Sequence, residues 1–141
     1  MNEAARAYIE KAEKYLRSAE LLRISGDFDS AASRLYYAMF FCAEMALYAN
    51  GLRLSSHRGV ISGFSQNLVK TGELPAFLAQ SLRTAFDERQ SGEYEALSEI
   101  DEAQVQSLQR EAAKFIEITK EYLNLKTAVS RGRRRADRRV R

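Results

Sequence analysis

Apolar residues return every three or four positions along most of the chain, and no stretch alternates steadily between apolar and polar residues. A period close to 3.6 is the pattern of helices that bury one face. One proline and seven glycines in 141 residues leave few interruptions. The sequence therefore predicts an all-α protein, an up-down antiparallel helical bundle of four long helices and one short helix.

The first two helices have the strongest patterns. An apolar stripe that includes Tyr15 predicts a helix over about residues 2–24, which Gly26 ends. The second segment reads SAASRLYYAMFFCAEMALYANG; Asp29 or Ser30 is expected to cap it, and it closes at Gly51. Because this helix is apolar almost all round, we expect it at the centre of the bundle.

The other three helices are less regular. The segment SSHRGVISGFSQNLVKTG predicts a short third helix, capped by Ser55 or Ser56. Pro75 suits the first turn of a fourth helix, where its missing N–H group has no helical partner to lose. A fifth helix is predicted over about residues 102–126, where Thr119 interrupts a heptad-like apolar series.

Composition narrows the class of protein. Cys42 is the single cysteine, which excludes an internal disulfide and suits a small core residue. The most apolar stretch, residues 35–49, is too short for a transmembrane helix, so no membrane contact is predicted. The polar N-terminal segment lacks the pattern of a secretory signal, and we therefore expect a cytoplasmic protein.

The positive charge of the chain is concentrated at its C-terminal end. Residues 131–141 hold seven of the 22 basic residues and one of the 19 acidic residues, which leaves 15 basic and 18 acidic residues in the rest. We expect a helical domain over residues 1–126 and an Arg-rich, disordered tail over residues 127–141. The tail would bind nucleic acid or an acidic partner, or serve only as a solvated terminus. The arginines concerned are Arg131, Arg133, Arg134, Arg135, Arg138, Arg139 and Arg141.

His57, the single histidine, is expected in the first turn of the third helix beside Arg58, where free N–H groups favour an anion. The alternative is a partly exposed histidine bonded to a backbone carbonyl. One histidine and one cysteine make no zinc site, and the sequence predicts neither a metal nor a cofactor.

The second helix carries adjacent tyrosines, Tyr36 and Tyr37, whose side chains leave the helix about 100° apart. One is expected in the core and the other in a cleft or against a partner subunit. Arg34 shares a face with Tyr37 and is a candidate for nucleotide or phosphate binding. The alternative is that Arg34 extends to solvent.

The stretch AFDERQSGEY, residues 85–94, is a third candidate site. Charges spaced four apart allow ordinary surface ion pairs. A glycine inside this helical pattern is unfavourable, however, and the tyrosine after Glu93 needs a place to pack. Surface pairing and an anion-binding site both remain open on these residues alone.

Taken together, SAASRLYYAMFFCAEMAL, SSHRGVISGFSQNLVKTGELP and FDERQSGEY resemble the HEPN domain (higher eukaryote and prokaryote nucleotide-binding). The likeness covers about residues 3–125 and is nearest to small uncharacterised prokaryotic members. It implies a HEPN-like bundle, a symmetric homodimer with a polar cleft near its two-fold axis, and a nucleotidyltransferase partner in a toxin–antitoxin system.

Many HEPN proteins are metal-independent ribonucleases with an Arg-x4–6-His motif. The resemblance then implies that Arg89 holds a phosphate, but the matching later positions are Tyr94, Glu95 and Ala96, and none is histidine. A tyrosine with a pKa of about 10 is a poor base at neutral pH. Ala96 also stands where some relatives carry a modified tyrosine.

Three functions follow. The favoured one is a dimeric module that binds a nucleotide or RNA phosphate through Arg89, Tyr94 and Arg34. The second is an active ribonuclease toxin in which His57 or Tyr94 moves the proton. The third is a scaffold whose ligand site is the tail.

Overall fold

The computed structural model describes residues 1–54, 56–94 and 99–140, with the side chains of 92–94 and 128–140 left outside the description. Within this part the chain is helical, as the apolar periodicity predicted. The helices are α1 (Glu3–Ile24), α2 (Phe28–Tyr48), α3 (His57–Phe64), α4 (Ala76–Tyr94) and α5 (Glu102–Val140). A π-helical turn, Ser65–Val69, continues α3.

Helix α2 occupies the centre of the bundle and packs against α1, α3, α4 and α5. Its buried side chains are distributed around the whole helix, in agreement with the nearly continuous apolar sequence. Each fully buried large apolar side chain contributes about 1.5–3 kcal/mol to folding. The buried residues of α2 are Ala31, Ala32, Leu35, Tyr36, Ala38, Met39, Phe40, Cys42, Ala43, Met45, Ala46 and Leu47.

The ends of α1 agree with the sequence, but the start of α2 does not. Asn2 caps α1, and Gly26 follows its end with a φ of 86°, a conformation that glycine adopts without strain. The prediction that Asp29 or Ser30 caps α2 is wrong. Asp27 is the cap, because its carboxylate accepts a hydrogen bond from the Ser30 N–H group, and the helix begins at Phe28.

Helix α5 begins with a reciprocal cap. The Asp101 carboxylate accepts from the Gln104 N–H group at 2.9 Å, and the Asp101 N–H group donates to the Gln104 side chain at 2.8 Å. The backbone stays helical to Val140, beyond the predicted end at Lys126. Arginine and alanine, frequent after that point, are good helix formers. The domain boundary at 126 and the disorder of the tail stay predictions.

A polar network joins the ends of α2 and α5. The Tyr122 hydroxyl donates to the Glu73 carboxylate and accepts from the Asn50 amide at 3.0 Å. Lys126 donates to the Asn50 side-chain oxygen, and its ammonium lies 5.8 Å from the Tyr122 ring centroid. The loop before α4, which holds Glu73, is thereby attached to α5.

Thr119 is fully buried in α5, and its hydroxyl has no hydrogen-bond partner among the described residues. A buried hydroxyl without a partner carries a desolvation penalty. We therefore expect Thr119→Val to raise the free energy of unfolding by about 1 kcal/mol. Urea denaturation measures the change. Thr127→Val is the control, since that hydroxyl donates to the Leu123 carbonyl at 2.9 Å and its loss should not stabilise. An unchanged or lower stability of Thr119→Val would contradict the account.

Burial and the hydrogen bond to Glu73 raise the pKa of Tyr122 to about 12. The unfolded chain has an ordinary tyrosine pKa near 10. The folded state therefore holds this proton more firmly, and the resulting stability is complete below pH 10 and lost as pH rises towards 12. Between pH 9 and pH 11.5, the free energy of unfolding should fall less for Tyr122→Phe than for the wild type, as measured by chemical denaturation at both pH values. Equal losses would rule out this contribution.

Candidate functional site

Tyr36 and Tyr37 of α2 project in different directions, as their adjacency predicted. Tyr36 is fully buried, whereas Tyr37 is partly exposed and lines a groove. Their rings still meet edge to face with centroids 5.3 Å apart. The expectation of one core tyrosine and one cleft tyrosine is confirmed.

The start of α3 sets the position of His57. Ser56 caps the helix, since its hydroxyl accepts a hydrogen bond of 2.9 Å from the Gly59 N–H group. A Cβ atom on Gly59 would lie 2.7 Å from that hydroxyl oxygen, closer than real Cβ contacts. Glycine at 59 therefore leaves room for the capping serine, and His57 occupies the first position of a well-defined helix.

His57 is held against α2 rather than directed to solvent. Its Nδ1 lies 2.6 Å from the Tyr36 hydroxyl oxygen, and its ring stacks on Phe40 with centroids 4.7 Å apart. Burial raises the pKa of Tyr36 far above its ordinary value, and the nearby positive charge of Arg89 only partly opposes this. The Tyr36 hydroxyl thus keeps its proton at physiological pH, and it donates to Nδ1 or accepts from Nδ1–H according to the tautomer of the imidazole.

Arg89 of α4 reaches the same tyrosines. Its guanidinium carbon lies 5.0 Å from the Tyr37 ring centroid and 5.5 Å from that of Tyr36, within the range of cation–π attraction. Phe86, one turn earlier on α4, lies 5.6 Å from the Tyr36 ring. Arg89 is partly buried. The structure therefore brings Arg89 and His57 to one residue, Tyr36, and we refer to these three residues and Tyr37 as the α2–α4 cluster.

The cluster combines three kinds of chemistry. A guanidinium offers several N–H donors in a fixed plane and suits a phosphate or carboxylate. An imidazole changes its charge near neutral pH and can move a proton. The Tyr36 hydroxyl, as partner of Nδ1, restricts the orientation of the imidazole ring. Together they can bind an anion and place a proton-transfer group near it.

Arg34 lines a groove that shares Tyr37 with the α2–α4 cluster. It is exposed, with its guanidinium carbon 4.7 Å from the Tyr15 ring centroid. Arg34 and Tyr37 line one open groove of about 620 Å³ between α1 and α2. Their shared helix face was predicted, and Arg34 is exposed, as the solvent alternative required. Arg58, the other candidate of this group, is exposed in the first turn of α3.

Several candidate residues lie outside the described side chains. Helix α4 ends at Tyr94, but the Tyr94 side chain is not described, so its role stays a prediction. The same holds for the tail arginines from Arg131 to Arg139, while Arg141 lies outside the described residues altogether. Positions 95 and 96 are likewise outside them.

Phe40, Phe86 and Tyr15 were not among the sequence candidates. Phe86 and Arg89 are three residues apart, which places them on one face of α4, and this spacing could have identified Phe86. Tyr15 belonged to the predicted apolar stripe of α1. Nothing in the local pattern of α2 distinguishes Phe40 from the other buried apolar residues.

Glu88, beside Arg89 in sequence, occupies a different environment. One of its carboxylate oxygens is buried without a partner among the described residues. Burial raises the pKa of Glu88, and Glu111, Asp101 and Asp87 raise it further. Among the side chains that the structure describes, no three from His, Cys, Asp or Glu gather as a metal site would need. None of the helices described there is long and apolar enough to cross a membrane.

Comparison with known proteins identifies relatives that align with most of this chain. A protein of Methanocaldococcus jannaschii named "Putative toxin MJ0142" is 36% identical over 115 residues, 82% of this chain and 78% of the relative. A UPF0332 protein of Gloeobacter violaceus is 38% identical over 116 residues, 82% and 92% of the two chains. A UPF0332 protein of Thermotoga maritima is 35% identical over 107 residues, 76% and 81%.

The model of one protein family, the HEPN domain, matches residues 5–122, which include every residue of the α2–α4 cluster. This match agrees with the resemblance found in the motifs around Tyr36, His57 and Arg89. The chain belongs to the HEPN domain family.

Proposed function

We propose that this HEPN protein binds the phosphate of a nucleotide or of RNA at the α2–α4 cluster, as part of a toxin–antitoxin-like system. The observation that carries the proposal is the position of Arg89, partly buried against Tyr36 and Tyr37 and beside the residue that holds His57. A guanidinium packed on aromatic rings loses less freedom when it binds than one that moves freely in water.

Local charge, rather than the charge of the whole domain, supports this choice. Residues 1–130 carry more acidic than basic groups, so they do not attract nucleic acid by net charge. A phosphate would therefore be held by directed hydrogen bonds from Arg89, with a ring N–H group of His57 as a second donor. Such a site discriminates by geometry, whereas the Arg-rich tail would contribute a salt-dependent attraction with little sequence preference.

The proposed assembly is a homodimer in the cytoplasm, paired with a nucleotidyltransferase. The relative named as a toxin in Methanocaldococcus jannaschii supports a partner protein that controls the activity. In a dimer, two copies of the α2–α4 cluster would face a shared cleft, which suits a ligand with several phosphates. Arg34, Arg58 and Tyr94 are proposed as additional contacts to that ligand.

Arg89→Ala should weaken binding of a nucleoside monophosphate about 10- to 100-fold, because a charge-assisted hydrogen bond contributes roughly 1.5–3 kcal/mol. Isothermal titration at constant ionic strength measures the affinity. Arg83→Ala is the matched control, since Arg83 is exposed on the same helix and its loss should leave the affinity unchanged.

The opposite result has a specific meaning. Suppose that Arg89→Ala binds as tightly as the wild type, while replacement of the seven tail arginines by glutamine abolishes binding. The protein would then be a scaffold with a nucleic-acid-binding tail, and the proposed site would be wrong.

The hydrogen bond between Tyr36 and His57 favours a second candidate, a metal-independent ribonuclease toxin. With Nδ1–H of His57 donating to the Tyr36 oxygen, Nε2 would accept the proton of the ribose 2′-hydroxyl as the 2′-oxygen attacks phosphorus and the bond from phosphorus to the 5′-oxygen breaks. The products are a 2′,3′-cyclic phosphate and a 5′-hydroxyl, whose proton comes from water. Arg89 would stabilise the charge on the phosphate.

Under this candidate, purified protein cleaves RNA in the presence of EDTA. His57→Ala should then reduce the rate at least about 100-fold, the usual range for loss of a proton-transfer group. Tyr36→Phe should change the pH dependence, because the partner of Nδ1 is gone. The released 5′-hydroxyl ends can be labelled directly by a kinase. Wild-type protein that binds RNA but yields no such ends would exclude the ribonuclease and leave the binding module.

A further inference from the structure

The groove between α1 and α2 has the size and lining of a small-molecule site. Its volume of about 620 Å³ falls within the roughly 300–1,000 Å³ of typical ligand pockets. Its lining residues include three with aromatic rings, one arginine, one aspartate and two serines. The lining consists of Tyr15, Leu22, Asp29, Ser30, Ser33, Arg34, Tyr37 and Phe41.

Tyr37 connects this groove to the α2–α4 cluster. It lines the groove, and its ring centroid lies 5.0 Å from the guanidinium carbon of Arg89. The aromatic surface continues across the groove, because the ring centroid of Phe41 lies 6.0 Å from that of Tyr37 and 5.3 Å from that of Tyr15. A ligand with its phosphate at Arg89 would therefore need to extend past the Tyr37 ring to place a flat ring in the groove.

Arg34 adds a second flat surface. Its guanidinium carbon lies 4.7 Å from the Tyr15 ring centroid, so Tyr15 supports the arginine from one side. Nucleobases stack on arginine planes as well as on aromatic rings. Stacking does not depend strongly on base identity, since every base has a π-face.

We propose that this groove binds the nucleobase of the ligand whose phosphate lies at Arg89, with Arg34 on Tyr15 as the stacking platform. The assignment rests on the proposed function. It makes the substrate class a nucleotide or a single-stranded stretch of RNA, whose bases are free to leave a stack. Asp29 lies in the groove as an acceptor for the amino and imino groups on a base edge.

The charges of the groove favour a base over other flat or apolar ligands. Asp29 and Arg34 together are neutral, so the groove has no net attraction for a second phosphate. An acyl chain would leave both charged groups without compensation in contact with apolar atoms. A base offers donors and acceptors on its edge and an apolar face, which matches both parts of the lining.

The test compares GMP with ribose 5-phosphate, which has the same phosphate and sugar but no base. Wild-type full-length protein should bind GMP roughly tenfold or more tightly than ribose 5-phosphate, the gain expected from stacking one base. Tyr15→Leu should remove most of this difference while leaving the affinity for ribose 5-phosphate unchanged. NMR titration measures both affinities, and thermal unfolding checks that each variant is folded.

Tyr8→Leu is the matched control. Tyr8 is on the same helix, and its ring centroid lies 6.1 Å from that of Phe41, but Tyr8 does not line the groove. It should keep the full preference for GMP. Equal binding of GMP and ribose 5-phosphate by the wild type, or equal effects of Tyr8→Leu and Tyr15→Leu, would overturn the groove assignment.

Arg89→Ala separates this inference from the proposed function. If it weakens both ligands by the same factor and Tyr15→Leu weakens GMP alone, both assignments hold. If Arg89→Ala binds both ligands as the wild type does while Tyr15→Leu still weakens GMP, the groove binds bases but the phosphate lies elsewhere. The proposed function would then be wrong, while the groove assignment would still hold.

Discussion

A phenol hydroxyl that is removed from water needs a hydrogen-bond partner, and for Tyr36 that partner is His57. This one contact joins the central helix to the start of α3, across 21 residues of sequence. It also orients the imidazole, since one ring nitrogen is committed to the hydroxyl. The Arg89 guanidinium lies over the ring of the same tyrosine and over that of its neighbour, Tyr37. The cluster therefore exists because Tyr36 is buried at the centre of the bundle.

Burial of α2 on all sides has a second effect on the site. A helix surrounded by its neighbours cannot rotate or shift without repacking most of the core, which resembles a molecular crystal in density. Tyr36 and Tyr37 are consequently held in place by packing that has no direct role in binding. The capping serine and Gly59 fix the start of α3 in the same way. A cluster built on rigid helices keeps its geometry before any ligand arrives.

Most of the fold could be predicted from local patterns, because periodicity determines which face of a helix is apolar. The central position of α2, the ends of α1 and the place of His57 in the first turn of α3 all follow from neighbouring residues. The start of α2 did not, since Asp27, Asp29 and Ser30 are all acceptable caps and only the path of the preceding turn selects one. The meeting of Tyr36, His57 and Arg89 depends on which faces of three helices touch. The family motifs suggested that these residues lie in one site, but the apolar periodicity of the chain does not predict that they meet. The roles of Arg58, Tyr94 and the tail arginines stay predictions.

Tyr37 contacts Arg89 and also lines the groove, so binding at either place involves the same side chain. A ring that shifts to accommodate a group in the groove changes the support of the guanidinium, and the reverse is equally true. Groups bound at the two places would then share one supporting ring, and any coupling between them would be reciprocal. A compound that fills the groove without carrying a phosphate would displace the base of a nucleotide and, through this ring, would also change the support of the Arg89 guanidinium.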